Sequence, residues 1–296
     1  FEDRALESVT RLLRLIKPRS AMLVRYKEKG KSDEIVELVK KSVKEVEIVE
    51  YSNIAKKGIE DTSGDVLVDI TGLAKPALFH GIRNVLKKNN KVWISYTMAE
   101  SYYPLDAHIQ KVLKAEEKRD NYALLEALRN VLTGERGPYN IYNLLSTSEV
   151  DESRRRVLCA FSSPKHERLL ALLDERSYDR IELIAPEMKT PRDRLANIAA
   201  EVAMNNYCSA AINYFGSDDL TGVLPFLANQ FGHWYVDNGF NFELALTGSK
   251  LQAVASAALC AVFKVSQCWY VAPQEFDVLR FTEGVGKTTF YEIARP

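Results

Sequence analysis

The feature that most narrows what this chain can fold into is a regular alternation of short apolar runs with helical stretches. Between Arg156 and Val271 the apolar runs come five times: Arg156–Phe161, Arg180–Ile184, Ala210–Tyr214, Phe242–Leu246 and Ser266–Val271. Helical spacing fills the gaps, at 164–174, 191–205, 220–236 and 250–263. Strands separated by helices cannot pair as hairpins. They line up in parallel, and the helices cover both faces of the sheet. The first half has the same rhythm. Ala21–Tyr26, Val46–Val49, Asp65–Ile70 and Val92–Tyr96 read as strands. The stretch 2–16 has Ala5, Leu6, Val9, Leu12, Leu13 and Ile16 on one helical face, and Pro18 closes it. The expected fold class is α/β, with two Rossmann-like halves, mostly parallel sheets, a helical linker and a C-terminal β-hairpin.

The boundaries follow from breaks in this rhythm. Residues 1–132 form the first half, ending in a charged helix over 106–132 with a solvated or partner-facing surface. Residues 133–153, rich in Gly, Pro, Asn and Ser, read as a linker. Residues 154–296 form the second half, closed by a hairpin of 278–281 with 288–293 around Gly284 and Gly286. The halves echo each other. Asp69-Ile-Thr-Gly-Leu-Ala-Lys75 and Ala245-Leu-Thr-Gly-Ser-Lys250 each end a strand, turn, and open a helix with a lysine.

In an open parallel sheet, ligands sit beyond the carboxyl ends of the strands, where the strand order reverses. With the order 3-2-1-4-5, the first and fourth strands of the second half flank that point. The loop after the first is Ser162-Ser163-Pro164-Lys165-His166, and the loop after the fourth is Thr247-Gly248-Ser249-Lys250. Both supply hydroxyls, a lysine and the N–H groups of a helix start, a combination suited to phosphate. Gly248 allows a close backbone approach. In the first half, Tyr26–Gly30 would face Thr71, Gly72 and Lys75. Asp69, Glu100, His166, Glu243 and Glu283 are acid/base candidates near strand ends, with His166 as the candidate catalyst. Tyr96–Tyr103 adds rings and hydroxyls for stacking on a base, or for loop packing.

Several classes are disfavoured. Lys+Arg and Asp+Glu both number 40, which argues against non-specific nucleic-acid binding and leaves room for one small anion. Cys159, Cys208, Cys260 and Cys268 include no C-x-x-C pair, so neither a zinc site nor a disulfide framework is expected. That spacing suits a reducing, cytoplasmic compartment. No run of about 18 apolar residues marks a membrane span. Glu283-Gly-Val-Gly-Lys-Thr-Thr289 imitates a phosphate loop, but the first glycine falls at Phe281 and strand-forming residues follow. No G-x-G-x-x-G follows a strand, so no dinucleotide cofactor is expected.

The segment Leu246-Thr-Gly-Ser-Lys-Leu-Gln-Ala-Val-Ala-Ser256, entered from a strand, resembles the Thr-Gly-Gly-Thr-Lys type signature of CARF domains. These are the Rossmann-like sensors of CRISPR-associated and related antiviral proteins. Ser249 stands where that pattern carries a second glycine. The resemblance implies a homodimer that binds a cyclic oligonucleotide, for example a cyclic oligoadenylate, across its dyad. Ser162, Ser163, Lys165 and His166 would contact the ligand from one loop, and Thr247, Gly248, Ser249 and Lys250 from the other. Some members also cleave their ligand slowly without metal. Three readings stay open: a second-messenger sensor acting on an effector protein, a nucleotide-processing enzyme using His166, and a scaffold docking through 106–132.

Overall fold

The structure, a computed structural model, describes residues 3–26, 32–54, 64–88, 91–115, 120–128, 134–145, 150–205, 207, 209–277 and 282–294. The expected turn Lys27–Gly30, Cys208 and the strand at 278–281 lie outside these residues. The chain divides into two compact units, 1–101 with 282–296, and 102–281. Its strands in chain order are β1 (Ser20–Arg25), β2 (Glu45–Glu50), β3 (Leu67–Asp69), β4 (Lys91–Thr97), the two-residue β5 (Ser101–Tyr102), β6 (Glu135–Asn143), β7 (Arg156–Phe161), β8 (Arg180–Ala185), β9 (Ala210–Tyr214), β10 (Asn241–Ala245), β11 (Gln267–Phe276), the two-residue β12 (Thr282–Glu283) and β13 (Thr288–Ala294).

In the first unit β1 pairs with β2 in parallel, and β3 pairs with β4 in parallel. Among the described residues these pairs belong to separate sheets, and β13 joins β4 on its other side. The strand at 278–281, expected to form a hairpin with the end of the chain, lies outside the described residues, and the end itself pairs with β4. β13 runs antiparallel to β4, from Thr288 opposite Thr97 to Ala294 opposite Lys91. β4 buries Val92, Ile94 and Tyr96, and β13 covers an edge that would otherwise expose unpaired backbone groups.

The second unit carries a six-stranded sheet in the order β6-β11-β10-β7-β8-β9. From β7 to β11 every pairing is parallel, and the order counted from β7 is 3-2-1-4-5. Leu158, Ala160, Ile181, Leu183, Ala245, Trp269 and Val271 face one side. Leu169 and Leu172 of the helix Glu167–Glu175, and Ala200 and Ala203 of the helix Pro191–Met204, pack onto them. On the opposite side the ring of Phe242 meets Phe231 of the helix Leu220–Phe231 edge-on at 5.6 Å. Burying each large apolar side chain contributes about 2 kcal/mol. Reciprocal caps fix where two helices begin. Thr190 and Asp193 close a capping box before Pro191, and Ser249 and Gln252 do the same at Lys250.

Two further expectations change. The stretch 133–153 is not only a connector: Glu135–Asn143 forms β6, antiparallel to β11. Its glycine, proline and asparagines are tolerated because β6 is an edge strand. The charged stretch 106–132 contains two helices, Asp106–Ala115 and Asn121–Leu128. Their Ile109, Leu113, Leu124 and Leu125 cluster with Leu195, Ile198, Ala199 and Val202. The apolar side of these helices is therefore buried inside the unit, and the charged side faces away from that cluster. Among the described residues no helix is long and apolar enough to cross a membrane.

Candidate functional site

The sheet order reverses between β7 and β10, the position where open α/β sheets form a ligand crevice beyond the strands' carboxyl ends. The loops leaving these strands are stitched together. The Thr247 hydroxyl donates to the Phe161 carbonyl at 2.6 Å and accepts from the Phe161 N–H at 3.1 Å. The Ser163 hydroxyl donates to the Thr247 carbonyl at 3.2 Å. Thr247 is buried, and its side chain joins the two loops. Valine at this position keeps the shape and loses both bonds. Thr247→Val is expected to destabilise the protein by about 2 kcal/mol, with Thr247→Ser close to wild type, as urea denaturation would measure.

Gly248 has an ordinary φ, and its requirement is steric. A Cβ there would lie 1.9 Å from Gln252 Oε1 and 2.6 Å from the Phe161 Cβ. Gln252 occupies that space because its Oε1 accepts the Ser249 N–H at 2.7 Å, while its own N–H donates to the Ser249 hydroxyl at 3.1 Å. The Ser249 hydroxyl also donates to the Ser217 carbonyl at 2.7 Å, tying in the loop after β9. Ser162 donates to the Ala196 carbonyl at 2.5 Å. His166 is buried, with Nδ1 3.4 Å from the Pro164 carbonyl oxygen. The eight second-half candidates lie beyond the ends of β7 and β10, in the two loops and at the helix start Lys250, and divide into two groups. Ser162, His166 and Thr247 are buried. Ser163, Lys165, Gly248, Ser249 and Lys250 are half-buried.

Lys165 brings in a residue that the sequence reading missed. Its ammonium lies 2.8 Å from Oε1 of Glu135, at the start of β6. Arg168 forks onto the same carboxylate, Nη2 to Oε1 at 2.7 Å and Nε to Oε2 at 3.1 Å. Burial alone would raise the Glu135 pKa, but the charges and hydrogen bonds of Arg168 and Lys165 outweigh it and hold the carboxyl at about 2. Burial pulls the Lys165 ammonium below its usual range, against the opposing pull of Glu135.

The first unit repeats the geometry of two loops meeting at strand ends. The Ala74 N–H donates to the Tyr26 hydroxyl at 2.7 Å. Gly72 lies where a Cβ would be 3.2 Å from the Ala5 Cβ, and Lys75 opens the helix Lys75–Lys88. Thr71 is fully buried. Its hydroxyl donates to Asp69 at 2.6 Å and accepts from the Thr97 N–H at 2.9 Å. Ser8, Thr97 and Thr288 extend this hydroxyl network. Thr71 and Asp69 are therefore committed to internal bonds. Glu243 also lies apart from the crevice, fully buried inside β10. It accepts from Trp269 Nε1 at 2.6 Å and the Tyr178 hydroxyl at 3.3 Å, and burial raises its pKa. Glu283 is exposed, and Glu100 packs beside Gly284. Thr288–Ala294 is strand, where a phosphate loop needs a helix. Among the described residues no group of three His, Cys, Asp or Glu side chains is placed to hold a metal ion.

The second unit thus defines a doubly wound, Rossmann-like α/β fold whose strand order reverses between β7 and β10. No family model and no curated protein matches the chain. Among solved structures it is similar to a Type III CRISPR defence DNA nuclease activated by cyclic oligoadenylate, at 12% identity and a TM-score of 0.53. The match covers 95% of this chain and 66% of the nuclease chain. At that identity the likeness is one of fold.

Proposed function

We propose that this protein is a CRISPR-associated sensor that binds a nucleotide second messenger of the cyclic-oligonucleotide type in the crevice between β7 and β10. The observation that carries this reading is the stitched pair of loops at the order reversal, with Lys165 and Lys250 at two neighbouring helix starts. A helix start beside a lysine attracts phosphate through oriented N–H groups and charge. The balanced net charge suits one compact anion better than a long duplex. The nuclease of similar fold is activated by cyclic oligoadenylate, which makes that class the first ligand to try. As a sensor, the protein would work as a homodimer, with the ligand across its dyad, and pass the bound state to an effector protein.

The test is a thermal-shift screen against cyclic oligoadenylates, linear oligoadenylates, NAD and mononucleotides, followed by chromatography of each mixture. A ligand that binds only the folded state adds about 2.7 kcal/mol at about 100-fold over its dissociation constant. A shift with intact cyclic oligoadenylate supports the sensor. Conversion of the ligand, abolished by His166→Ala, would replace it with an enzyme. Lys250→Ala is expected to weaken binding about tenfold, the worth of one charge-assisted hydrogen bond. Unchanged affinity in that variant would remove Lys250 from the site.

A further inference from the structure

Lys165 and Arg168 converge on the one carboxylate of Glu135, with the buried Glu167 carboxylate acting on Tyr139 beside them. The three side chains do not share the contact equally. Arg168 reaches both oxygens of Glu135, and the Tyr139 hydroxyl donates to Oε2 at 3.3 Å. Lys165 shares Oε1 with Arg168. Side-chain exposure follows the same ranking: 0% for Glu135, 12% for Arg168 and 22% for Lys165. If Lys165 leaves, Glu135 keeps a bidentate guanidinium partner and a phenol donor. If Arg168 is lost, Glu135 must hold Lys165. Lys165 is also two residues from Ser163, whose hydroxyl bonds across the crevice to the Thr247 carbonyl.

We infer that Lys165 is an exchangeable phosphate hook. Arg168 is the permanent counter-ion of Glu135, and Lys165 leaves that carboxylate to take a phosphate of the ligand. Glu135 therefore sets the affinity of the crevice by competing for Lys165 from within the protein. This inference rests on the crevice reading and specifies how the site is held in reserve. The exchange swaps one charge-assisted hydrogen bond for another and exposes no buried carboxylate, so its cost is small. A permanently free ammonium would instead attract any cellular phosphate. The Glu135 contact makes a weak single anion a poor competitor and favours a ligand that offers several contacts together.

The experiment is calorimetric titration of a cyclic oligoadenylate, at fixed ionic strength and well below the melting temperature, into wild type, Glu135→Gln, Arg168→Met, the Glu135→Gln/Arg168→Met double variant and Lys165→Met. Glutamine keeps an acceptor for Arg168 and drops the charge that holds Lys165, so Glu135→Gln should bind about tenfold tighter. Arg168→Met should bind at least tenfold more weakly, because Glu135 then keeps Lys165. The double variant should recover wild-type affinity or better, a rescue that a merely structural role for Arg168 does not produce. Lys165→Met should bind more weakly. Thermal melts of each variant establish that it is folded. If Arg168→Met does not fold, the comparison of Glu135→Gln with wild type decides. Wild-type binding with no tightening in Glu135→Gln, or with no rescue in a folded double variant, overturns the exchange and leaves the crevice reading standing. No binding by wild type overturns the crevice reading and the exchange with it.

Discussion

Replacing Gly248 with alanine is expected to lower stability by about 3 kcal/mol, at the upper end of what overpacking costs. The added methyl group would sit 1.9 Å from Gln252 Oε1 and 2.6 Å from the Phe161 Cβ. The glutamine end can move away, but it then gives up the Ser249 N–H and opens the cap of the helix Lys250–Val262. Phe161 cannot yield in this way. Its side chain is fully buried, and Thr247 holds its backbone on both sides. For a unit of this size about 3 kcal/mol corresponds to a fall of about 6–12 °C in melting temperature. Differential scanning calorimetry of Gly248→Ala would show it. Adding Gln252→Ala should restore only part of the loss, because the Phe161 contact remains. A fall of less than about 2 °C would mean that the two loops are not packed as closely as described.

Glu135→Ala should cost more, about 3–5 kcal/mol, because it strands a deeply buried guanidinium and a largely buried ammonium without their carboxylate. The same cluster predicts the acid limb of stability. Glu135 titrates at about 2 in the folded protein against an ordinary 4.5. Its folded value is depressed, so its contribution is complete above about pH 4.5 and is lost as the pH falls through the folded value. The gap is worth about 3 kcal/mol. Wild-type stability should drop between about pH 4.5 and pH 2, and this component should be missing from Glu135→Gln. Urea midpoints across that range would measure the difference. Parallel pH profiles for wild type and Glu135→Gln would show that the carboxylate is not held as described.

The second unit was legible in the sequence because its information is local. Each strand is a short apolar run, each helix shows helical spacing, and four crossovers in a row leave little choice but a parallel sheet. Thr190-Pro191 and Ser249-Lys250 announce their helix starts by capping chemistry alone. What sequence reasoning missed depends on partners far apart in the chain. β6 contains Gly137 at φ +76° and Pro138, so locally it looks like a loop, and only its pairing with β11 makes it a strand. β13 pairs with β4 almost 200 residues earlier, and nothing in either segment names the other. The hydroxyl-rich loops show the same limit. Ser and Thr at a strand end suit phosphate binding and internal stitching equally well, and only the distances assign Thr247 and Thr71 to stitching. The one signal for the Glu135 cluster is Lys165 and Arg168 three residues apart at a helix start, which places two cations on one face without naming their counter-ion.

Hydrogen exchange with and without a cyclic oligoadenylate tests the central claim most directly, because it reports where the ligand is felt as well as whether it binds. Protection on binding should concentrate in the peptides spanning 161–168 and 246–252, the two loops that meet at Thr247. Unchanged exchange in both peptides while calorimetry reports binding, or protection confined to the first unit, would contradict the assignment of the ligand to the crevice between β7 and β10.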